Sequence, residues 1–136
     1  MNIAKGIIDI EGKEIRMRMH REEFLSSFAG REMREEAGET LIEHIELFGI
    51  KGIVSVKFGE SNHISQISFI PTFSKDWDCG KNPSQIYKIY SDILSKTGLK
   101  CSFRSTRNVL YTCKTAWVSI TPCWQNRYES AAFVIC

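Results

Sequence analysis

Apolar residues open the chain at a two-residue period. Ile8 and Ile10 alternate with Ile7 and Asp9, and Ile15, Met17 and Met19 alternate with Arg16 and Arg18 around Glu11-Gly12-Lys13. This pattern predicts a β-hairpin over Ile3 to Met19 with one face of its second strand buried and arginines on the other. The spacing then changes. Phe24, Leu25 and Phe28 fall on one face of a helix beginning at Arg21, and Leu41, Ile42, Ile45 and Leu47/Phe48 resume a helix-like spacing that ends at Gly49. Gly30 and Gly38 interrupt it, at about 1 kcal/mol each inside a helix. Arg21 to Phe48 therefore reads as one broken helix or two helices.

Alternation returns in Val54, Val56 and Phe58. It continues through Ile67 and Phe69 across Gly59-Glu60-Ser61-Asn62, giving a second hairpin over Ile53–Phe58 and His63–Ile70. A loop rich in aromatic and polar residues spans Pro71 to Lys81. The clearest helix follows: Asn82 suits the N-cap, Pro83 the first turn and Gly98 the close. Ile86, Ile89, Tyr90, Ile93 and Leu94 make its apolar stripe. Leu99–Phe103, Val109–Lys114, Ala116–Ile120 and Ser130–Ile135 read as strands, broken at Ser105–Asn108 and at Thr121-Pro122. The order predicts an α+β fold: a mainly antiparallel sheet with two helical segments packed on one face. At 136 residues the chain fits a single domain, 1–136.

Charge adds what the pattern does not show. The chain carries a net +2, yet Arg21 to Glu46 holds eight Glu against three Arg, and Lys81 to Cys136 holds eight Lys/Arg against two acids. On a helix, Glu32, Glu35, Glu36, Glu39, Glu43 and Glu46 would share one side. That makes either a solvated face or an acidic docking surface for a basic partner. Like charges at helical spacing weaken their own helix by a few tenths of a kcal/mol per pair.

No apolar run approaches the ~18 residues of a membrane span. The N-terminus reads as a strand and not a signal peptide, which points to the cytoplasm. Five widely spaced cysteines, Cys79, Cys101, Cys113, Cys123 and Cys136, with no C-x-x-C pair, are expected to be reduced thiols serving as small hydrophobes. With His20, His44 and His63 scattered, no metal site and no cofactor is expected.

Catalytic constellations are equally thin. Asp76 and Asp78 flank Trp77, but a loop carboxylate pair open to solvent lacks the raised pKa that acid–base chemistry needs. No G-x-S-x-G, G-x-G-x-x-G or Walker-type loop is present, so no enzyme is expected. Lys100, Arg104, Arg107, Lys114 and Arg127 interleave with Phe103, Tyr111, Trp117 and Trp124. These are the ingredients of single-stranded RNA binding, without an RNP-like run or GXXG loop.

The opening hairpin GIIDIEGKEIRMRM, the acidic REMREEAGETLIEHIE and the hairpin GIVSVKFGESNHISQISF together resemble the organisation of immunity proteins from contact-dependent growth inhibition and related polymorphic-toxin systems. That resemblance implies a cytosolic protein that binds one cognate toxin domain, often a basic nuclease, and blocks its working surface. The partner-binding residues would be Glu32, Glu35, Glu36, Glu39, Glu43 and Glu46. The alternative is an RNA-binding or regulatory domain using the basic, aromatic sheet.

Overall fold

The computed structural model describes the backbone at residues 2–107, 110–114, 118–125 and 128–136. A 3₁₀ turn over Ile3–Lys5 leads into strands β1 (Ile7–Ile10) and β2 (Lys13–Arg16), which form a separate two-stranded hairpin. Helix α1 (Arg21–Ser27) follows, then β3 (Arg34–Glu36), β4 (Glu39–Leu47), β5 (Ile50–Phe58) and β6 (Ile64–Pro71). Helix α2 (Pro83–Ser95) precedes β7 (Phe103–Arg107), β8 (Leu110–Lys114), β9 (Val118–Gln125) and β10 (Tyr128–Ile135). The last eight strands join one antiparallel sheet in the order β3-β4-β5-β6-β10-β9-β8-β7. This is the α+β fold with a mainly antiparallel sheet that the pattern predicts.

One core lies between the sheet and the elements on its inner face. Strand alternation turns Ile42, Val54, Val56, Ile67, Phe69, Phe133 and Ile135 inward. They meet Ile8, Ile10 and Ile15 of the first hairpin, Phe24 and Phe28 of α1, and Ile86, Tyr90 and Leu94 of α2. Each helix starts where its side chains permit. Asn82 and Gln85 form a reciprocal capping box at 2.9 Å in both directions, with Pro83 in the first turn. At α1 the ring nitrogen Nδ1 of His20 accepts the Glu22 N–H at 3.2 Å.

The register of β10 explains how Tyr90 is held. Its ring stacks on Phe133, and its hydroxyl donates to the Ala131 carbonyl at 3.1 Å. Opposite Ala131 on β9 stands Pro122, which has no N–H, and on the other side the β6–β10 pairing stops at Phe133–Phe69. The tyrosine hydroxyl supplies the donor that the ladder lacks there.

The expected helices over Arg21–Phe48 are corrected. Only Arg21–Ser27 is helical, and the acidic stretch is the β3–β4 hairpin. Two local features produced the helical look. Ala37-Gly38 is a two-residue hairpin turn with φ of 52° and 80°, where both residues must take positive φ. A β-bulge then falls between Ile42 and Ile45, with His44 at φ 57°. The bulge inserts one residue, so successive inward residues stand three apart and mimic a helical step. Thr121-Pro122 is likewise no break but lies inside β9. Among the described residues β8 pairs with β9 at Lys114–Ser119, and Pro122 lies further along β9, where a strand proline is tolerated if it owes the ladder no N–H. Ser105–Arg107 lies inside β7, and Asn108, Val109 and Ala116 lie outside the described residues.

The cysteines also differ from expectation. Cys101 is disulfide-bonded, whereas Cys79, Cys123 and Cys136 are free. The expectation that all five cysteines are reduced thiols is therefore corrected at Cys101. Among the described residues no helix is long and apolar enough to cross a membrane.

Candidate functional site: an acidic sheet edge

The β3–β4 hairpin forms one edge of the large sheet. All three residues of β3 are exposed, and a short, charged edge strand resists pairing with a foreign strand. Glu36 faces Glu39 across the turn and Arg34 faces Leu41, so Arg34, Glu36, Glu39 and Glu43 share the outer face of the sheet. Glu35 points the other way, toward α1.

The carboxylates come together in space, but not as a bare acidic face. Arg34 Nη2 lies 3.2 Å from Glu36 Oε2 and 3.0 Å from Glu43 Oε1. Arg21 pairs with Glu35. Glu39 accepts the Ser55 hydroxyl at 2.7 Å, with Lys57 Nζ 3.9 Å away. Glu32 and Glu46 are exposed, and among the described residues neither has an ion-pair partner. Exposed pairs of this kind contribute at most ~1 kcal/mol each, so the cations trim the field without locking the surface. Eight Glu against three Arg in Arg21–Glu46, with only Lys57 and Lys51 of β5 facing Glu39 and Glu46, leave this edge net acidic.

The bulge is braced from beneath. Arg31 donates through Nη2 to the carbonyls of both Glu43 and His44, at 3.3 Å for the latter, and its Nε lies 3.0 Å from Glu11. His44 thus stands in a left-handed conformation with its carbonyl tied down and its ring edge-on to Trp77, centroids 5.4 Å apart. Lys51 Nζ sits 4.7 Å over the same indole. Together these residues border a cavity of about 190 Å³ lined by Glu43, His44, Ile53, Thr72, Ser74 and Trp77. Thr72 Oγ1 and Trp77 Nε1 are shielded from solvent and have no hydrogen-bond partner. The sequence marks His44 only as one scattered histidine and Trp77 only as the residue between Asp76 and Asp78, and it does not mark Thr72. A left-handed bulge and a loop folded over a sheet have no local signature.

The other sequence candidates fare differently. Asp76 and Asp78 are exposed, and Asp78 spends Oδ1 on the Gly80 N–H at 2.6 Å, a turn-forming role. Among the described residues no group of three or more His, Cys, Asp or Glu is placed to hold a metal. Of the basic, aromatic set, Trp117 and Arg127 lie outside the described residues. The side chains of Phe103, Arg104, Arg107, Tyr111, Lys114 and Trp124 lie outside them too. Burial raises the thiols of Cys79 and Cys123, the latter to about 11, leaving both neutral and poorly nucleophilic at neutral pH. No protein-family model, curated protein or solved structure matches the chain.

Proposed function

We propose that the chain is a protein-binding domain that neutralises a cognate bacterial toxin by docking a basic surface of that toxin on the β3–β4 edge. One observation carries the reading. The fold gathers Glu32, Glu35, Glu36, Glu39, Glu43 and Glu46 onto one exposed hairpin and its flanks, against too few cations to neutralise them. The sheet gives this hairpin a rigid backing through β5, so the carboxylates are held in a fixed array. A nucleic-acid-cleaving toxin must present cations to phosphates, and such a surface is what a fixed acidic array recognises.

The ion pairs refine how docking works. Arg21, Arg34 and Lys57 engage Glu35, Glu36, Glu43 and Glu39 only loosely, so a partner's arginines can displace them and form forked pairs with the released carboxylates. Glu32 and Glu46, which make no ion pair although Lys51 stands opposite Glu46 on β5, contribute most to long-range steering. The test is to look for a toxin gene immediately upstream and to co-express its toxic domain with this protein. Growth rescue and a stoichiometric complex, both weakened when Glu32 and Glu46 are reversed to Lys, support the reading. Rescue indifferent to those reversals places the interface elsewhere.

A further inference from the structure

We propose that the cavity beside Trp77 binds a neutral, polyhydroxylated ligand of monosaccharide size. The cavity is built, not incidental. Its floor is the β4 bulge, where His44 is held at φ 57° by Arg31, and strain of this kind persists only where its surroundings fix it. Its roof is Trp77, set on a turn in which the Trp77 N–H reaches the Ser74 hydroxyl at 3.2 Å.

The lining defines the ligand. Thr72 is 6% exposed, and its hydroxyl, like the Trp77 indole N–H, finds no partner among the described residues. Shielded donors without acceptors carry a desolvation cost that a bound oxygen relieves. Glu43 offers the opposite chemistry: Arg34 engages its Oε1, leaving Oε2 to accept. Hydroxyl groups, which donate and accept at once, meet both demands. Charged ligands fit less well. Glu43 repels an anion, while Arg34 and Lys51 repel a cation. Ile53 and the indole edge supply apolar contact for a ring's C–H bonds. At about 190 Å³ the space falls below the ~300 Å³ at which drug-sized sites begin, so one ring is the limit. Neither unpartnered atom is open to solvent, so the proposed contact requires the ligand to displace the Trp77 ring.

The test uses the free protein, so its result is independent of toxin docking although Glu43 serves both. The indole N–H signals of uniformly ¹⁵N-labelled protein are recorded while glucose, galactose, mannose, ribose and N-acetylglucosamine are added singly, Trp77→Phe assigning the relevant peak. The proposal expects one or more of these sugars to shift the Trp77 signal saturably. Thr72→Val, matched in shape, should weaken that binding about tenfold while leaving the rest of the spectrum in place. Should Thr72→Val not fold, Glu43→Gln serves, with a comparable loss. A Trp77 signal unmoved by every sugar, or moved in linear step with the signals of Trp117 and Trp124, overturns the proposal and leaves the cavity a site for water alone.

Discussion

Replacing Tyr90 with Phe removes one oxygen from the centre of the molecule and nothing else. Tyr90 is fully buried, its ring rests on Phe133 and its hydroxyl reaches Ala131 O at 3.1 Å. Phenylalanine keeps the ring volume, so no cavity term enters. What remains is the fate of the Ala131 carbonyl. Were another donor near, the change would cost the ~0.5–1.5 kcal/mol of an ordinary bond. Pro122 stands opposite on β9 and the β6 pairing ends two residues away, so the carbonyl is left buried and unpaired. The expected loss is about 1–3 kcal/mol, each kcal/mol lowering the melting midpoint by about 3–5 °C at this chain length. Urea unfolding followed by far-UV circular dichroism measures it, with an unchanged m-value confirming the same native state. A loss below ~0.5 kcal/mol would show that Ala131 O finds another donor and that the tyrosine does not complete the ladder.

Three further outcomes follow from the same structure. Gly52→Ala places a Cβ 2.3 Å from the Ile70 carbonyl oxygen of the neighbouring strand, which cannot yield without shifting β6. The ~0.4–1 kcal/mol gained from a stiffer unfolded chain does not offset it, and a net loss of at least ~1–3 kcal/mol should appear in urea unfolding; a neutral result would refute the close approach. On the alkaline side, the Cys123 thiol ionises near pH 9 when exposed but only near about 11 when buried. The unfolded chain therefore binds fewer protons in that window, and stability should fall by about 2 kcal/mol as pH rises through it. Cys79 and Tyr90, also raised by burial, add falls of the same sign, so Cys123→Ala should make the profile shallower without levelling it, and an equally steep profile in the variant would contradict the assignment. Finally, alkylation in denaturant without reductant should label Cys79, Cys123 and Cys136 while Cys101 stays protected until reductant is added; mass spectrometry of Cys101 peptides alkylated beforehand would refute the disulfide.

Where local chemistry decides structure, the sequence is legible. Asn82, Pro83 and Gln85 announce α2, and the alternations around Glu11-Gly12 and Gly59–Asn62 place two hairpins. The acidic segment misleads because its periodicity is an artefact of a bulge. Ile42 to Ile45 is a helical step only because two residues, Glu43 and His44, occupy the place of one. Ala37-Gly38 and Phe48-Gly49 lack the Asn or Asp usual before glycine in such turns, so the hairpins they close are hard to recognise. Phe48 tolerates φ 57° because its ring packs on Phe133, a tertiary reason that no window of sequence contains. The glutamates were found by charge alone, but their pairing with Arg21, Arg34 and Lys57 depends on strands folding beside each other and beside α1.

The central claim is that the β3–β4 edge steers a basic partner, and its most direct test is an association rate. A basic nuclease domain, taken from the gene immediately upstream where that gene encodes one, is mixed with wild-type protein and with the folded Glu32→Lys/Glu46→Lys variant at low and at physiological salt, and the association rate constant is measured by stopped flow. Removing two unpaired carboxylates and adding two cations should slow association at low salt by about tenfold or more, with the difference shrinking as salt screens it. Equal rates for the two proteins at low salt, or no association at all, would contradict the account.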